Sequence, residues 1–186
     1  MKIFLVNPLW LSMIPLFIIT HMSARDKPLQ VVDEVDFQRY AGTWYEIARL
    51  PNPFQKRCAG DVTATYTLLD NDQIKVVNRC RKEDGEFIEA EGRARRAGKD
   101  EPLAKLEVRF APRFLSWLPF VWGDYWIIEL DSGYRYAVIG DPKRKYLWIL
   151  AREPEMDEQM LEGILQRTSD QGYDVSNVIR TRHRSG

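Results

Sequence analysis

The sequence predicts an all-β protein, an eight-stranded antiparallel up-and-down β-barrel with one C-terminal α-helix packed on its outside. Three observations lead to this fold class. Apolar and polar residues alternate with period two in the runs between residues 42 and 110, as in strands with one buried face, and three more apolar runs follow up to residue 151. Short turn sequences separate the runs, which favours hairpin connections. The apolar spacing then becomes that of a helix over about residues 157–169.

The turn sequences divide residues 42–151 into eight predicted strands. These cover residues 42–50, 61–69, 73–82, 88–95, 104–110, 124–130, 134–139 and 145–151. Eight antiparallel strands can remove both sheet edges by closing on themselves, and a barrel of this size can hold one small ligand. Asp157 can cap the helix and Gly172 follows its end, before a short terminal strand expected at residues 175–179.

Composition excludes several classes of protein. The chain has 186 residues, enough for one domain with a substantial core. Its 27 basic and 27 acidic residues give no net charge, and no basic run suggests a nucleic-acid partner. Aromatic residues make up 12%, too many for a disordered chain. Two Cys and two His leave little material for a zinc site, so we predict no metal and no cofactor.

The first 24 residues differ from the rest of the chain. One basic residue precedes a long apolar stretch, and Ser23-Ala24 stands before charged residues, as in a secretory signal peptide cleaved near Ala24. The alternative is an uncleaved membrane anchor, because the stretch is about long enough to span a bilayer. We interpret residues 25–36 as an N-terminal extension, 37–180 as the barrel domain and 181–186 as a basic tail.

The two cysteines are Cys58 and Cys80, which lie within the predicted barrel. In an oxidising compartment an even number of cysteines predicts a disulfide, although two buried thiols remain the alternative. His21 lies in the predicted signal peptide and His183 in the basic tail, which leaves no histidine to activate a thiol nucleophile.

Alternation also predicts which side chains face the interior. The charged residues occupy the face opposite to the apolar one. The barrel should therefore have an apolar interior and a charged, solvent-exposed exterior, the reverse of an outer-membrane barrel. The last three strands are apolar on both faces, and alternation alone does not orient them. The predicted ligand contacts are Phe54, Ala64, Tyr66, Asn78, Ala90, Leu106, Val108, Phe110, Tyr125, Tyr136 and Trp148.

The connection over residues 113–122 is unusually apolar for an exposed loop at the open end of the barrel. Its notable residues are Arg113, Phe114, Trp117, Phe120 and Trp122. Exposed apolar surface of this kind is typical of a membrane contact, an interface or a ligand portal. The alternative is that the loop folds into the open end and closes the barrel. Arg113 could meet a phosphate or carboxylate head group.

Three sequence motifs resemble those of the lipocalins, particularly their bacterial and apolipoprotein-D-like branch. Residues 37–49 read FQRYAGTWYEIAR, which resembles the opening Gly-X-Trp motif. Gly140-Asp141-Pro142 and residues 146–152 are similar to the second and third motifs. The resemblance covers roughly residues 33–180.

The resemblance implies roles for the motif residues. Trp44 would plug the closed end of the barrel, and Arg152 would lie across its ring in a cation–π contact. The alternative is that Trp44 is ordinary core and Arg152 ordinary surface. The structural motif residues are Gly42, Trp44, Gly140, Asp141, Pro142 and Arg152.

The function implied is non-catalytic binding and transport or storage of a small hydrophobic ligand, such as a fatty acid or lysophospholipid, in cell-envelope lipid handling. The alternative is an isomerase or de-epoxidase on the same barrel, for which Glu46 and Glu129 are the candidate strand carboxylates. Bacterial lipocalins are often acylated on a Cys just after the signal, whereas the first Cys here is Cys58. We therefore expect an exported protein, periplasmic or secreted, for which outer-membrane association stays open although the acylated Cys is lacking. It should be a monomer or homodimer, and residues 113–122 could make transient contact with a membrane.

Overall fold

The computed structural model describes residues 23–70, 73–111, 118 and 121–184. Two α-helices of this part of the chain are α1 (Phe37–Tyr40) and α2 (Glu158–Asp170), and a 3-10 turn covers Ala24–Asp26. The strands are β1 (Gly42–Arg49), β2 (Gly60–Leu68), β3 (Ile74–Arg81), β4 (Phe87–Arg96), β5 (Lys105–Arg109), β6 (Gly123–Leu130), β7 (Tyr136–Gly140), β8 (Leu147–Ala151) and β9 (Ile179–Arg180).

The first eight strands close into an antiparallel barrel. Each strand from β2 to β8 pairs with the next, and β1 pairs with both β2 and β8. At the closing seam Trp44 lies opposite Ala64, and Tyr45 lies opposite Ala151. The predicted eight-stranded barrel with a C-terminal helix is confirmed. The regular alternation in β2–β5 explains this success, because each strand there has one mainly apolar face and one mainly polar face.

The chain after α2 completes the barrel wall at the open end. Beyond Tyr45 the strands β1 and β2 separate, and the last described residues lie between them. The amide of Thr181 donates to the carbonyl of Ile47 at 2.9 Å, and the amide of Asp61 donates to the carbonyl of Arg182 at 2.9 Å. This segment therefore bridges the two strands by backbone hydrogen bonds.

Asp61 also fastens this segment through its side chain. Its carboxylate accepts hydrogen bonds from Arg81 at 2.6 Å and from Arg184 at 3.0 Å. Burial alone would favour the neutral acid, but hydrogen bonds from the backbone amide and side chain of Arg184 and from Arg81, together with the charge of Arg81, lower the pKa of Asp61 to about 2. The carboxylate thus remains charged, and the tail remains paired, at neutral pH.

Helix α2 lies on the outside of the barrel, as its apolar stripe predicts. Asp157 caps the helix by accepting a hydrogen bond from the amide of Met160 at 3.0 Å. Leu161 and Ile164 are buried in a cluster with Val138 and Ile149 of the barrel wall. The wall beneath the helix is consequently buried on both of its faces.

This double burial overturns one predicted ligand contact. The prediction that Tyr136 faces the interior is wrong: Tyr136 packs with the cluster under α2, and its hydroxyl donates to Glu129 at 2.7 Å. Arg167 of α2 donates to the same carboxylate at 2.6 Å. Ala137 and Ile139 belong to the interior cluster instead. A strand that is apolar on both faces gives no alternation from which its orientation could be read.

The predicted disulfide is confirmed. Cys58 and Cys80 are bonded, with their Cα atoms 5.5 Å apart. The bond joins the loop between β1 and β2 to the end of β3, at the open end of the barrel. The alternative of two unpaired thiols is excluded.

The predicted signal peptide falls almost entirely on residues 1–22, which lie outside the described residues. Within the part of the chain that the structure describes, no helix is long and apolar enough to cross a membrane. The N-terminal extension packs on the barrel, where Leu29 and Val35 are buried and the amide of Val32 donates to the carbonyl of Ile127 at 3.0 Å.

The disulfide should stabilise the fold, because it closes a loop of 22 positions in the unfolded chain. We expect the double variant Cys58→Ser, Cys80→Ser to lose about 3 kcal/mol of unfolding free energy. Thermal unfolding of the oxidised parent and of the variant measures the difference, with the reduced parent as a control. Equal midpoints for all three proteins would contradict a stabilising role.

Candidate functional site

The closed end of the barrel is built around Trp44. Asp36 caps the short helix α1 by accepting a hydrogen bond from the amide of Gln38 at 2.9 Å. This helix brings the carbonyl of Tyr40 over the barrel end, where it accepts a hydrogen bond from the indole Nε1 of Trp44 at 2.8 Å. Trp44 is fully buried, with 0% of its surface exposed. It seals the end of the barrel at which β1 begins.

Arg152 lies across Trp44 on the side away from the barrel interior. Its guanidinium carbon is 3.9 Å from the centroid of the indole ring, within cation–π distance. It also donates to four backbone carbonyls, those of Arg39 at 2.6 Å, Tyr40 at 3.2 Å, Ala41 at 3.0 Å and Thr43 at 2.9 Å. Burial lowers the pKa of Arg152, and these carbonyls replace the water that its charge loses.

The strand register aligns the inner face above this floor. Trp44 lies opposite Ala64, Ala64 lies opposite Asn78, and Asn78 lies opposite Ala90. Because directly paired residues of an antiparallel sheet share a face, all four side chains point into the barrel. Tyr66, two residues beyond Ala64, points the same way.

Burial along the inner face falls from the closed end to the open end. The buried group near the closed end comprises Ala64, Tyr66, Ile74, Val76, Leu106 and Ile127. A second group, Val108, Tyr125 and Trp148, is packed against these and partly buried. Nearer the open end, Asn78 and Ala90 are exposed, and Phe110 is 42% exposed. Residues that face into a closed barrel and remain exposed indicate an interior that is unfilled and open at one end.

Phe110 belongs to this open half although it follows the last residue of β5. A Cβ atom placed on Gly92 would lie 2.8 Å from two carbons of the Phe110 ring, so the ring lies directly over this glycine. The missing side chain at Gly92 therefore makes room for an aromatic ring on the inner face.

A group of polar contacts joins the loop between β1 and β2 to the interior. We call it the Gln55 strap, and it consists of Gln55 with its partners Asn52, Glu46 and Trp148. The side-chain oxygen Oε1 of Gln55 accepts hydrogen bonds from the indole Nε1 of Trp148 at 2.8 Å and from the side-chain amide of Asn52 at 2.9 Å. Its amide nitrogen donates to Glu46 at 2.5 Å. Gln55 and Asn52 were missed by sequence reasoning, because loop residues carry no periodic pattern. The strap holds the indole of Trp148 in one orientation.

The rim of the open end carries a cleft of about 410 Å³ beside the disulfide. Its lining residues are Lys56, Arg57, Cys58, Lys82, Glu83 and Asp84. Phe54, a predicted ligand contact, lies on this rim with 68% of its surface exposed and its ring 5.3 Å from that of Tyr146. The rim is thus charged and partly aromatic, in contrast to the apolar interior.

Comparison with known proteins identifies the family. Residues 35–183 match the model of the lipocalin-like domain. The chain belongs to the lipocalin family. Lipocalins are known for binding small hydrophobic ligands, which agrees with an apolar barrel open at one end.

Two relatives and one solved structure illustrate the similarity. Temperature-induced lipocalin-1 of Arabidopsis thaliana is 40% identical over 156 residues, which cover 83% of each chain. Outer membrane lipoprotein Blc of Escherichia coli K12 is 37% identical over 166 residues, covering 88% of this chain and 89% of that one. Insecticyanin of the tobacco hornworm Manduca sexta has a similar fold, with a TM-score of 0.65 at 20% identity over 85% of this chain and 86% of that one.

The remaining lipocalin motif residues lie in a turn that anchors the end of α2. The carboxylate of Asp141 accepts hydrogen bonds from the amides of Lys145 at 2.8 Å and Tyr146 at 2.6 Å. The hydroxyl of Tyr173 accepts from the amide of Asp141 at 2.9 Å, and it leaves no space for a side chain on Gly140. Pro142 follows in the same turn, so the motif is structural in this lipocalin.

Most of the predicted mouth loop lies outside the described residues. This holds for Arg113, Phe114, Trp117 and Phe120, whose predicted roles therefore stay predictions. Trp122 is described, and it lies beside two arginines. The guanidinium carbons of Arg95 and Arg109 are 3.9 Å and 5.2 Å from its ring centroid.

The two candidate catalytic carboxylates of this lipocalin are both engaged by neighbours. Glu46 accepts hydrogen bonds from Arg49 at 2.9 Å, from Gln55 and from the hydroxyl of Thr181. Glu129 lies on the outer face, bound by Tyr136 and by Arg167 of α2. Across the described ranges, no group of three His, Cys, Asp or Glu side chains is placed to hold a metal ion.

The contact between Arg152 and Trp44 should stabilise the fold without contributing to ligand affinity. We expect Arg152→Ala to lower the unfolding free energy by about 1–3 kcal/mol, because the cation–π contact with Trp44 is lost and four backbone carbonyls lose a charged hydrogen-bond donor. Trp44→Ala should cost about 3–5 kcal/mol as a large buried truncation. Chemical denaturation measures both losses. An Arg152→Ala protein of parental stability that fails to bind hexadecanoic acid would reverse our assignment of the closed end.

Proposed function

We propose that this lipocalin is a non-catalytic carrier of one single-chain lipid, a fatty acid or lysophospholipid, which it transports or stores in the handling of cell-envelope lipids. The observation that carries the proposal is the open half of the inner face, where Asn78, Ala90 and Phe110 point into the barrel and remain exposed. With the far end sealed by Trp44, an extended chain can enter from the open end and lie along the apolar wall.

The energetics support a chain of moderate length. Burying about twelve methylene groups at ~0.8 kcal/mol each gives roughly 10 kcal/mol. Association and the ordering of a flexible chain oppose this gain by several kcal/mol. Micromolar affinity is the expected result, which suits a carrier that must also release its ligand.

The rim supplies the charge for a lipid head group. Lys82 pairs with Asp84 at 2.6 Å, whereas no carboxylate of the described residues pairs with Lys56 or Arg57. Both of these side chains are exposed on the cleft beside the disulfide. A phosphate or carboxylate head group at the mouth could meet these cations while its chain lies inside.

Export to an oxidising compartment is part of the same proposal. The Cys58–Cys80 disulfide supports it, since such bonds persist mainly outside the cytosol. The name of the Escherichia coli relative, an outer membrane lipoprotein, is consistent with a role at the cell envelope.

Lipid extraction tests the proposed function directly. Protein purified without detergent is extracted with organic solvent, and the extract is analysed by mass spectrometry. A carrier yields an acyl lipid near one equivalent per chain. An empty barrel that converts an added hydrophobic substrate would support the enzyme instead.

Blocking the interior should abolish binding. We expect Ala90→Trp to fill the open half and weaken hexadecanoic acid binding at least tenfold, with the barrel still folded. The matched control is Glu89→Trp, which adds the same side chain one residue away on the outer face. Isothermal titration measures both affinities. If the two variants bind alike, the ligand lies outside the barrel and the carrier proposal is wrong.

Charge reversal at the rim should weaken the binding of ligands with a charged head group and leave the binding of uncharged ligands unchanged. We expect Lys56→Glu and Arg57→Glu each to weaken hexadecanoic acid binding several-fold, less so at high salt, because screening weakens exposed charge pairs. Binding of uncharged hexadecanol should not change. The control is Lys99→Glu, in the loop between β4 and β5 at the closed end. An equal effect of all three variants on the acid would exclude a specific role for the rim.

A further inference from the structure

Three tyrosine hydroxyls meet inside the barrel, directly above the closed end. Tyr40 comes from α1, Tyr66 from β2 and Tyr125 from β6. The hydroxyl of Tyr125 lies 2.9 Å from that of Tyr40 and 2.7 Å from that of Tyr66. The ring of Tyr40 rests on Trp44, with centroids 4.9 Å apart. We call these three residues the tyrosine triad.

Counting protons shows that the triad has an unused hydrogen-bond donor. Each phenol has a single hydroxyl proton, so the triad holds three. Its two oxygen–oxygen contacts use two of them, whichever oxygen donates in each. No other described residue makes a hydrogen bond with these oxygens. One proton is therefore left over in every possible arrangement.

The triad lies where such a proton needs an acceptor. Tyr40 is 1% exposed and Tyr66 is 5% exposed, whereas Tyr125 remains partly exposed on the inner face. A buried donor without an acceptor is unfavourable, because it has given up water and gained nothing in exchange. The partly exposed side of Tyr125 gives a molecule in the barrel access to the triad.

The surroundings favour a neutral acceptor over an anion. Burial, the largest effect, raises the pKa of all three phenols, as expected where negative charge is poorly solvated. The guanidinium whose charge acts on the triad, through Tyr40, is that of Arg152, which lies beyond Trp44 and is occupied by four carbonyls. A carboxylate would be poorly compensated at this depth.

We propose that the tyrosine triad binds a neutral oxygen on the part of the ligand that enters the barrel first, a keto or hydroxyl oxygen of an oxygenated acyl chain. The inference rests on the proposed carrier function and makes it more specific. The rim takes the charged head group, the apolar wall takes the methylene groups, and the triad selects chains that bear oxygen toward their far end.

Matched ligands test the triad. Hexadecanoic acid is compared with oxohexadecanoic acids that carry one additional carbonyl at carbon 6, 10 or 15. In a purely apolar barrel the extra carbonyl weakens binding, because it loses its water. In the parent protein we expect at least one oxo acid to bind as tightly as hexadecanoic acid, or more tightly, by isothermal titration.

Three variants separate the donor from the shape of the site. The triple variant Tyr40→Phe, Tyr66→Phe, Tyr125→Phe keeps the rings and removes every hydroxyl; it should bind hexadecanoic acid like the parent and the preferred oxo acid at least tenfold less tightly. Tyr125→Phe alone leaves two unpaired hydroxyls and should keep the preference for the oxo acid. Tyr45→Phe, at a position of β1 facing away from the interior, is the matched control.

A spectroscopic measurement makes the test independent of how well the triple variant folds. The carbonyl stretch of the preferred oxo acid, labelled with carbon-13 at the keto carbon, should move to lower frequency when the acid binds the parent. A stretch like that in liquid hydrocarbon, or an unchanged preference in the triple variant, overturns the inference while leaving the carrier intact. A parent that binds none of the acids overturns both.

Discussion

The contact of Arg152 with Trp44 and four backbone carbonyls is the interaction on which the rest of the barrel depends. It joins the residue after β8 to helix α1 and to the start of β1, so it connects the first and last strands at one point. A planar guanidinium suits this place, since it can stack on an aromatic ring and donate in several directions at once. With this end sealed, everything that enters the barrel must enter opposite.

The outer surface of the barrel wall is of two kinds, one covered by α2 and one exposed. Helix α2 covers part of the wall, where Val138 and Ile149 are buried on the outer face. Strands β3 and β4 instead carry exposed ion pairs on their outer face, such as Lys75 with Glu91. The exposed inner residues Asn78 and Ala90 belong to these same two strands. The exposed inner residues thus lie on the side of the barrel that α2 does not cover.

Sequence patterns predicted most of the fold and part of the site, for physical reasons that differ between elements. Strands β2–β5 alternate between polar and apolar residues, so Tyr66 and Val108 could be assigned to the interior. Tyr136 could not, because the helix makes the outer face of its strand as apolar as the inner one. The triad and the Gln55 strap were beyond prediction, since each joins residues far apart in sequence that only the closed barrel brings together.

The segment that bridges β1 and β2 determines when, relative to synthesis of the chain, the barrel can close. The wall at the open end is complete only when Thr181 and Arg182 are in place, and these residues are synthesised after all eight barrel strands. A nascent chain therefore cannot finish its barrel while it is still being made. It leaves the ribosome with the pairing of β1 to its C-terminal segment still unformed, so the wall at the open end closes only after synthesis ends.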